Sequence, residues 1–361
     1  MNELENARKI ITESDKEIAR LFEIRMKAAG EIAAYKKKHA LPILDAAREN
    51  ELISRNSNYI EDKVIGEYYT EFLKETMRIS RAYQSRLNEG MRVAYSGCEG
   101  AFAYIASKQL YPEASLIACE NFEEAYKAVE NGECDACVLP IENSFAGDVG
   151  TVMDLMFSGT LYVNQTKDLE INHCLMAKKG TKIEQIKRVI SHPQALNQCD
   201  KYIHDHAFEQ ISYKNTALSA KLVKESSDSD IASIASDETA KIFDLEILES
   251  RINSSRNNTT RFLSFSRAQN KPESVRKMNQ HFMLVFTVKN EAGALAKTID
   301  IIGAHGFNMR NLRSRPMKEL LWNYYFFVEA DGDINTEKGK EMLKELSANC
   351  DRLKLVGAYH D

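Results

Sequence analysis

No proline interrupts the stretch from Leu4 to Lys37, and apolar residues recur through it at Leu4, Ala7, Ile11, Ile18, Leu21, Phe22, Ala28, Ala29 and Ile32. That spacing marks one face of an α-helix, and the helix is longer than most single domains need. Long amphipathic helices of this kind pack in bundles or across a dimer. Pro42 breaks the pattern. A short second helix is expected from about Asp45 and a third from about Asn58 to Leu87. Residues 1–88 therefore read as an all-helical domain of three helices.

At Asn88-Glu89-Gly90 the pattern changes to short strands alternating with helices. Arg92–Tyr95 reads as a strand, Gly97–Gly100 as a turn, and the following residues through Ser107 as a helix. A strand near Leu116–Ala118, a helix over Phe122–Val129 and a strand at Val138–Leu139 continue this βαβ rhythm. A second α/β block is expected from about Ile171 to Leu248. The Gly97–Gly100 turn opens a helix and suits an anion. It lacks the third glycine and the acidic residue of a dinucleotide fingerprint, so no nucleotide is expected. After the polar linker Lys271-Pro272-Glu273-Ser274, strands and helices follow in the order βαββαβ. They are Phe282–Phe286, Gly293–His305, Met309–Arg315, Asn323–Glu329, Thr336–Leu346 and Leu353–Val356. That is the ferredoxin-like order.

Composition narrows the function. A net charge of -5 with dispersed lysines and arginines argues against nucleic-acid binding. No apolar run reaches membrane-spanning length, and the start, Met1-Asn2-Glu3-Leu4-Glu5, is polar and acidic. A cytoplasmic protein is expected. Seven cysteines, an odd number, argue against a disulfide framework. Cys134-Asp135-Ala136-Cys137 has no second half-site and runs into apolar Val138-Leu139, which fits core cysteines. His204-Asp205-His206 reads as a solvated helix end, and no metal site is expected.

Several charges in the helical block form groups. Arg25 and Lys36 are almost three turns apart and share a face; Asp45, Arg48 and Glu49 share another, as do Ser80 and Gln84. Taken together these positions resemble the helical chorismate mutases. The resemblance implies that Arg8, Arg25, Lys36, Asp45, Arg48, Glu49, Ser80 and Gln84 line a site for a dicarboxylate. Arginines would grip the carboxylates, while Lys36 and Gln84 donate to the ether oxygen whose bond breaks. Asp45 and Glu49 would hold the ring hydroxyl, with Arg48 at the wall. The rearrangement is unimolecular and needs only orientation and preorganised charge. Arg8 lies on the order of 25 Å along one straight helix from Arg25, so its contribution implies a second, antiparallel chain.

Three polar stretches mark the middle of the chain: Pro140-Ile141-Glu142-Asn143-Ser144, Ser191-His192-Pro193-Gln194-Ala195-Leu196-Asn197-Gln198-Cys199 and Asn257-Asn258-Thr259-Thr260-Arg261-Phe262. The first two sit at strand ends, where open α/β sheets bind ligands; the third enters a strand. Together they resemble the signature set of prephenate dehydratases, which implies two α/β lobes of the periplasmic-binding-protein type around a cleft. It also implies Thr260 as catalytic donor and Arg261 on a substrate carboxylate. Asn143, Ser191 and Gln198 would complete the site, supported by Glu142 and Ser144. Ala101 and Ala103 stand where the family often has Thr and Ser. Asp148 adds negative charge to a site for a dianion.

The last block resembles ACT regulatory domains of the phenylalanine-sensing kind, through Gly293-Ala294-Leu295 and Ser314-Arg315-Pro316. Arg313 replaces the usual acidic residue before that serine. The resemblance implies an L-phenylalanine pocket at Gly293, Ala294, Leu295, Asn308, Ser314 and Arg315, formed as two such domains pair. A pairing of this kind would cover the open sheet face and edges.

The expected architecture is multidomain: an all-α mutase domain (1–88), a two-lobed α/β dehydratase domain (91–267) and an α+β ferredoxin-like ACT domain (280–361). The expected activity converts chorismate through prephenate to phenylpyruvate, without metal or cofactor, in a homodimer or higher homo-oligomer. Two alternatives are an arogenate-type dehydratase and a non-catalytic amino-acid sensor.

Overall fold

The computed structural model describes residues 2–255, 257–270, 280–317 and 323–360; the linker Lys271–Ser274 lies outside them. The chain forms two compact units, Met1–Arg92 and Val93–Asp361.

The first unit contains helices α1 (Glu3–Lys38), α2 (Ala46–Ser57) and α3 (Lys63–Glu89). Asn2 and Glu5 form a reciprocal cap at the start of α1, and Lys36, Lys37 and Lys38 oppose the dipole at its end. The third helix begins at Lys63 rather than near Asn58. Asn58 instead closes α2, and the Asp62 carboxylate accepts the Ile65 N–H at 3.0 Å to start α3. Apolar spacing alone did not mark that boundary. Along the whole of α1 only Ala29 and Ala33 are buried. Ile10, Ile11, Ile18, Leu21 and Ile24 stay exposed, an apolar stripe that a helix of this length does not leave uncovered cheaply.

The second unit is built on two sheets. In its first lobe, strands β1 (Arg92–Ser96), β2 (Ser115–Cys119), β3 (Ala136–Asn143), the short β4 (Gly147–Asp148) and β5 (Tyr162–Glu170) alternate with α4 (Phe102–Leu110), α5 (Phe122–Glu130) and α6 (Gly150–Ser158). The second lobe holds β6 (Cys174–Ala177), β7 (Arg188–Ser191), β8 (Glu209–Ser212), β9 (Ile231–Ala235) and β10 (Glu246–Ser250), with helices α7 (Pro193–Gln198), α8 (Asp200–Asp205), α9 (Thr216–Glu225) and α10 (Asp237–Ile242). The chain leaves the first lobe at Ile171 and returns at Asn258. These two crossings are joined by the Ile171 N–H donating to the Asn258 carbonyl at 2.7 Å. The returning strand β11 (Thr259–Ser266) then enters between β3 and β5.

The remaining elements are β12 (Gln280–Thr287), α11 (Ala294–Ala304), β13 (Asn308–Pro316), β14 (Tyr324–Asp331), α12 (Glu337–Asn349) and β15 (Arg352–His360), in the expected βαββαβ order. This block does not stand apart. Its sheet continues into the first lobe, in the order β13-β14-β12-β15-β5-β11-β3-β1-β2. Period-two alternation along β12 serves two cores. Phe282, Leu284 and Phe286 pack beneath α11 and α12, while Met283 and Val285 join Met153, Met156 and Phe265 of the first lobe. The sheet face expected to stay open is thus covered within the chain by α6. The outer edge of β13 carries no neighbouring strand among the described residues.

The joint rests on Gly357, which pairs in parallel with Val163. A Cβ there would lie 2.1 Å from the Val163 carbonyl oxygen. Gly357→Ala should therefore cost roughly 2–4 kcal/mol of stability by forcing these strands apart. An unchanged urea midpoint would show that the continuous sheet is not a stabilising contact.

Candidate active sites

In the helical unit, the Arg25 guanidinium reaches across from α1 to the Ser80 hydroxyl on α3. Burial draws the Arg25 pKa below its usual value. Gln84, one turn beyond Ser80, is buried, and its Oε1 has no hydrogen-bond partner. Such an atom costs about 1–3 kcal/mol unless something satisfies it, so this amide is open to a bound ligand. Lys36 Nζ donates to the Ile43 carbonyl at 2.6 Å. Asp45 caps α2 by accepting the Arg48 N–H, and the Arg48 side chain pairs at 2.6 Å with Glu51. Glu49 is ion-paired with Arg81 on α3, a partner that no spacing along one helix marks. Arg8 is exposed near the start of α1, about 25 Å from Arg25 along the axis. One copy of the unit thus brings Arg25, Ser80 and Gln84 into one neighbourhood and leaves Arg8 remote.

Between the two lobes of the second unit lies a cavity of about 500 Å³. Thr260 and Phe262 line it, and the intervening Arg261 does not, because side chains alternate across strand β11. The Arg261 guanidinium turns to the opposite face. There it meets Asp168 at 2.8 Å and the buried Glu329 of β14 at 3.3 Å. These contacts raise its pKa above the ordinary arginine value, chiefly through the Asp168 hydrogen bond. The expected grip of Arg261 on a substrate carboxylate is not the geometry found. Its charge is already committed.

The end of β3 orients Thr260. Asn143 Oδ1 accepts from the backbone N–H groups of Phe145 and Ala146, at 3.0 and 2.8 Å, which fixes the direction of the amide. Its Nδ2 therefore points to the Thr260 hydroxyl oxygen at 2.9 Å and to Asn258 Oδ1 at 2.8 Å. With its oxygen accepting, the threonine retains its own O–H proton for donation elsewhere. Ser144 supports the same turn: its hydroxyl donates to the Asn257 carbonyl at 2.7 Å and accepts the Thr259 N–H at 3.0 Å. Ser191, expected in the site, is fully buried and donates to the Ile234 carbonyl at 2.5 Å. It does not line the cavity. Glu142 is held by Arg313 at 2.6 Å.

From the second lobe Gln198 lines the cavity, its Oε1 2.8 Å from His173 Nε2. His173 and His192 also face the cavity, and motif spacing singled out neither as a site residue. Burial holds the His173 pKa down to about 4, so the ring is neutral near pH 7. Its Nε2–H donates to Gln198, and Nδ1 is left buried without a partner. Asn258 Nδ2 is a second buried polar atom without one. The two lobes are latched by Ser236 and Thr239, whose hydroxyls both donate at 2.9 Å to the Gly100 carbonyl in the turn before α4.

No lysine or arginine lines this cavity among the described residues. Helix starts bring partial positive charge to it. Residues at the starts of α4 (Phe102, Ala103), α6 (Gly150) and α9 (Thr216) all contribute to the lining. At α4 and α6 the cap positions, Ala101 and Val149, supply no side-chain acceptor. Helix-terminal N–H groups not satisfied by a side chain are anion sites. Alanine at position 101 fits that arrangement.

In the last block, Gly293 has a left-handed φ of 85° and begins α11, with open space around it. Ala294 follows as the first helical residue, and Leu295 packs partly against the local core. Asn308 donates to Asp331 at 3.0 Å. On β13 burial alternates, with Ser314 exposed and Arg313 and Arg315 turned inward. Arg315 binds Asp154 of α6 at 3.1 Å, and Tyr325 donates to the same carboxylate at 2.7 Å.

Comparison with known proteins follows the same divisions. Residues 7–85 match the chorismate mutase type II family, 93–270 the prephenate dehydratase family and 282–348 the ACT domain. A bifunctional chorismate mutase/prephenate dehydratase of Aquifex aeolicus (strain VF5) is 30% identical over 362 residues, covering 99% of this chain and 98% of that protein. An arogenate dehydratase/prephenate dehydratase of Arabidopsis thaliana is 31% identical over 283 residues, covering 74% and 72%. A solved prephenate dehydratase from Arthrobacter aurescens, in complex with L-Phe, superposes with a TM-score of 0.70 at 27% identity, over 75% of this chain and 90% of that one.

The neutral, buried His173 gives the cleft a pH signature. Its folded-state pKa of about 4 lies below the ordinary value of 6.5, so the unfolded chain takes up a proton first as pH falls. Stability is full above about pH 6.5 and declines through this residue down to about pH 4. Relative to His173→Gln, the wild type should lose stability across that window. Parallel denaturation midpoints for the two proteins from pH 7 to 4 would show that the ring is not held neutral.

Proposed function

The chain belongs to the family of bifunctional chorismate mutases/prephenate dehydratases, and from that premise we propose how its residues divide the work. The protein rearranges chorismate to prephenate and then converts prephenate to phenylpyruvate. The three functional parts are residues 1–88, 91–267 and 280–361. No helix among the described residues is long and apolar enough to cross a membrane, and we assign the enzyme to the cytoplasm.

In the mutase part, Arg25 holds one substrate carboxylate and Lys36 and Gln84 donate to the ether oxygen as its bond to carbon breaks. Asp45, Glu49, Arg48 and Ser80 shape the ring-hydroxyl side. Two observations support a site shared between two copies: the remoteness of Arg8 and the exposed apolar stripe on α1. Burial of that stripe against an antiparallel copy brings the partner's amino-terminal half over the cleft, and Arg8 supplies the second carboxylate grip.

In the dehydratase part, Thr260 donates its O–H to the departing hydroxyl. A threonine is too weak an acid to release its proton to solvent, so its role is a hydrogen bond that strengthens as negative charge develops on the leaving oxygen. Loss of the ring carboxylate as carbon dioxide supplies the electron pair that aromatises the ring. The side-chain carboxylate rests on the N–H groups at the starts of α4 and α6. Arg261 holds the β11 framework rather than substrate. The single observation carrying this reading is the amide of Asn143, fixed so that Thr260 is left with a donor. The mutase domain in the same chain favours prephenate over arogenate, because it makes prephenate.

For regulation, L-phenylalanine is assigned to the surface formed by Gly293, Ala294, Leu295, Asn308 and Ser314; Arg315, expected there too, is instead committed to Asp154 on the opposite face of the sheet. Its carboxylate meets the start of α11, and its ring lies along Leu295. The unpaired edge of β13 suits a second copy of the domain, which completes the pocket. By linkage, an inhibitor bound here must prefer the less active state.

Thr260→Ala should lower phenylpyruvate formation from supplied prephenate by about a hundredfold or more and leave chorismate consumption near normal. Arg25→Ala should do the reverse, and co-expression with an Arg8→Ala chain should restore part of the mutase activity. Parallel losses of both activities in either variant would contradict two separate sites. Millimolar L-phenylalanine should inhibit the intact enzyme. Unchanged turnover with no calorimetric binding would reduce the last domain to a structural role.

A further inference from the structure

Glu142 on β3 and Asp148 on β4 face each other directly across a two-strand ladder. Like charges so placed repel, and nothing within the hairpin neutralises them. The cation comes from the other end of the chain. Arg313 of β13 is mostly buried, with 12% of its side chain exposed. Its Nη2 contacts Glu142 at 2.6 Å and its Nη1 contacts Asp148 at 2.5 Å. Its Nε donates to Asn311 Oδ1 at 2.9 Å. All three guanidinium nitrogens are therefore engaged, and the planar fork is held in one orientation.

Both carboxylates belong to the hairpin that forms the cleft wall. Asp148 lines the cavity, together with Ala146, Gly147 and Asn143. Asn143, immediately after Glu142, is the residue whose amide orients Thr260. The cavity wall carries no lysine or arginine among the described residues. An uncompensated Asp148 would thus oppose a dianion at close range, where a charge pair across about 7 Å is still worth a tenfold change or more.

We propose that Arg313 is a positioning residue for the dehydratase: it offsets one of the two charges of the Glu142–Asp148 pair, bridges the two carboxylates and holds the hairpin that presents Asn143 to Thr260. The proposal rests on the assignment of dehydratase chemistry to this cleft. Arg313 touches no reacting atom; it acts through the hairpin. The block that carries it is then needed for prephenate binding even without an effector.

The test is a set of steady-state measurements with prephenate on full-length variants. Arg313→Gln should raise KM about tenfold with a smaller fall in kcat. Asp148→Asn added to that variant should recover most of the loss. Arg313→Lys, which keeps the charge and loses the fork, should retain a KM near wild type with a lowered kcat. Asp148→Asn alone should lower KM, because it removes the one negative charge that Arg313 leaves unbalanced and pairs Arg313 one-to-one with Glu142. That exposed substitution decides the question even if Arg313→Gln fails to fold. A KM for Asp148→Asn equal to or above the wild-type value overturns the proposal, as does a double variant no better than Arg313→Gln. Wild-type conversion of prephenate is the control. Its absence would remove the dehydratase assignment itself, whereas normal wild-type turnover with indifferent variants removes only this inference.

Discussion

Strand β11 is the constraint on which the second unit depends. It returns from the far lobe and pairs on one side with β3 and on the other with β5. Its alternation then divides labour between the two faces of one strand. Thr260 and Phe262 face the cleft, while Arg261 reaches Asp168 and the buried Glu329. A buried carboxylate left without its cation is costly, so Arg261 pins β11 to the ferredoxin-like sheet. Tyr359 adds a further donor to Glu329 at 2.5 Å. The register that satisfies Glu329 is the register that presents Thr260 to Asn143.

The electrostatics follow a consistent rule. The cations near the cleft are spent on protein carboxylates: Arg261 on Asp168 and Glu329, Arg313 on Glu142 and Asp148, Arg315 on Asp154. In the proposed assignment, attraction for substrate is left to helix ends and neutral donors. Such groups are fixed by the backbone and need no reorganisation as charge develops. The mutase unit works the other way, with Arg25 and Lys36 on side chains that reach between elements. A rearrangement that must compact a flexible dicarboxylate suits a movable grip. An elimination from a rigid ring suits a fixed cradle.

Much of this was legible in the sequence. The proline-free helix, the change of period at Gly90 and the βαββαβ order are local patterns, and local patterns survive folding. The motif around Thr260 lies on a strand that lines the cavity. What it does not disclose is facing: adjacent residues of a strand look alike in sequence and lie on opposite sides of a sheet, so the carboxylates that Arg261 meets are Asp168 and Glu329 on the face away from the cavity. Ser191 sits in a polar motif, yet its hydroxyl closes a backbone hydrogen bond. His173 had no pattern around it, and only the fold shows it neutral and facing the cavity. Arg313 and Asp148 each stood out as a departure, but their pairing required the continuous sheet. Coverage of the last block's sheet face by α6 was likewise a tertiary fact.

The central claim is that one chain carries two consecutive reactions on separate sites. Its most direct test is to give purified protein chorismate alone and follow all three compounds over time. The account predicts that chorismate disappears, prephenate rises and then falls, and phenylpyruvate accumulates as the final product. Chorismate left unconsumed, or a reaction that stops at prephenate, would contradict it.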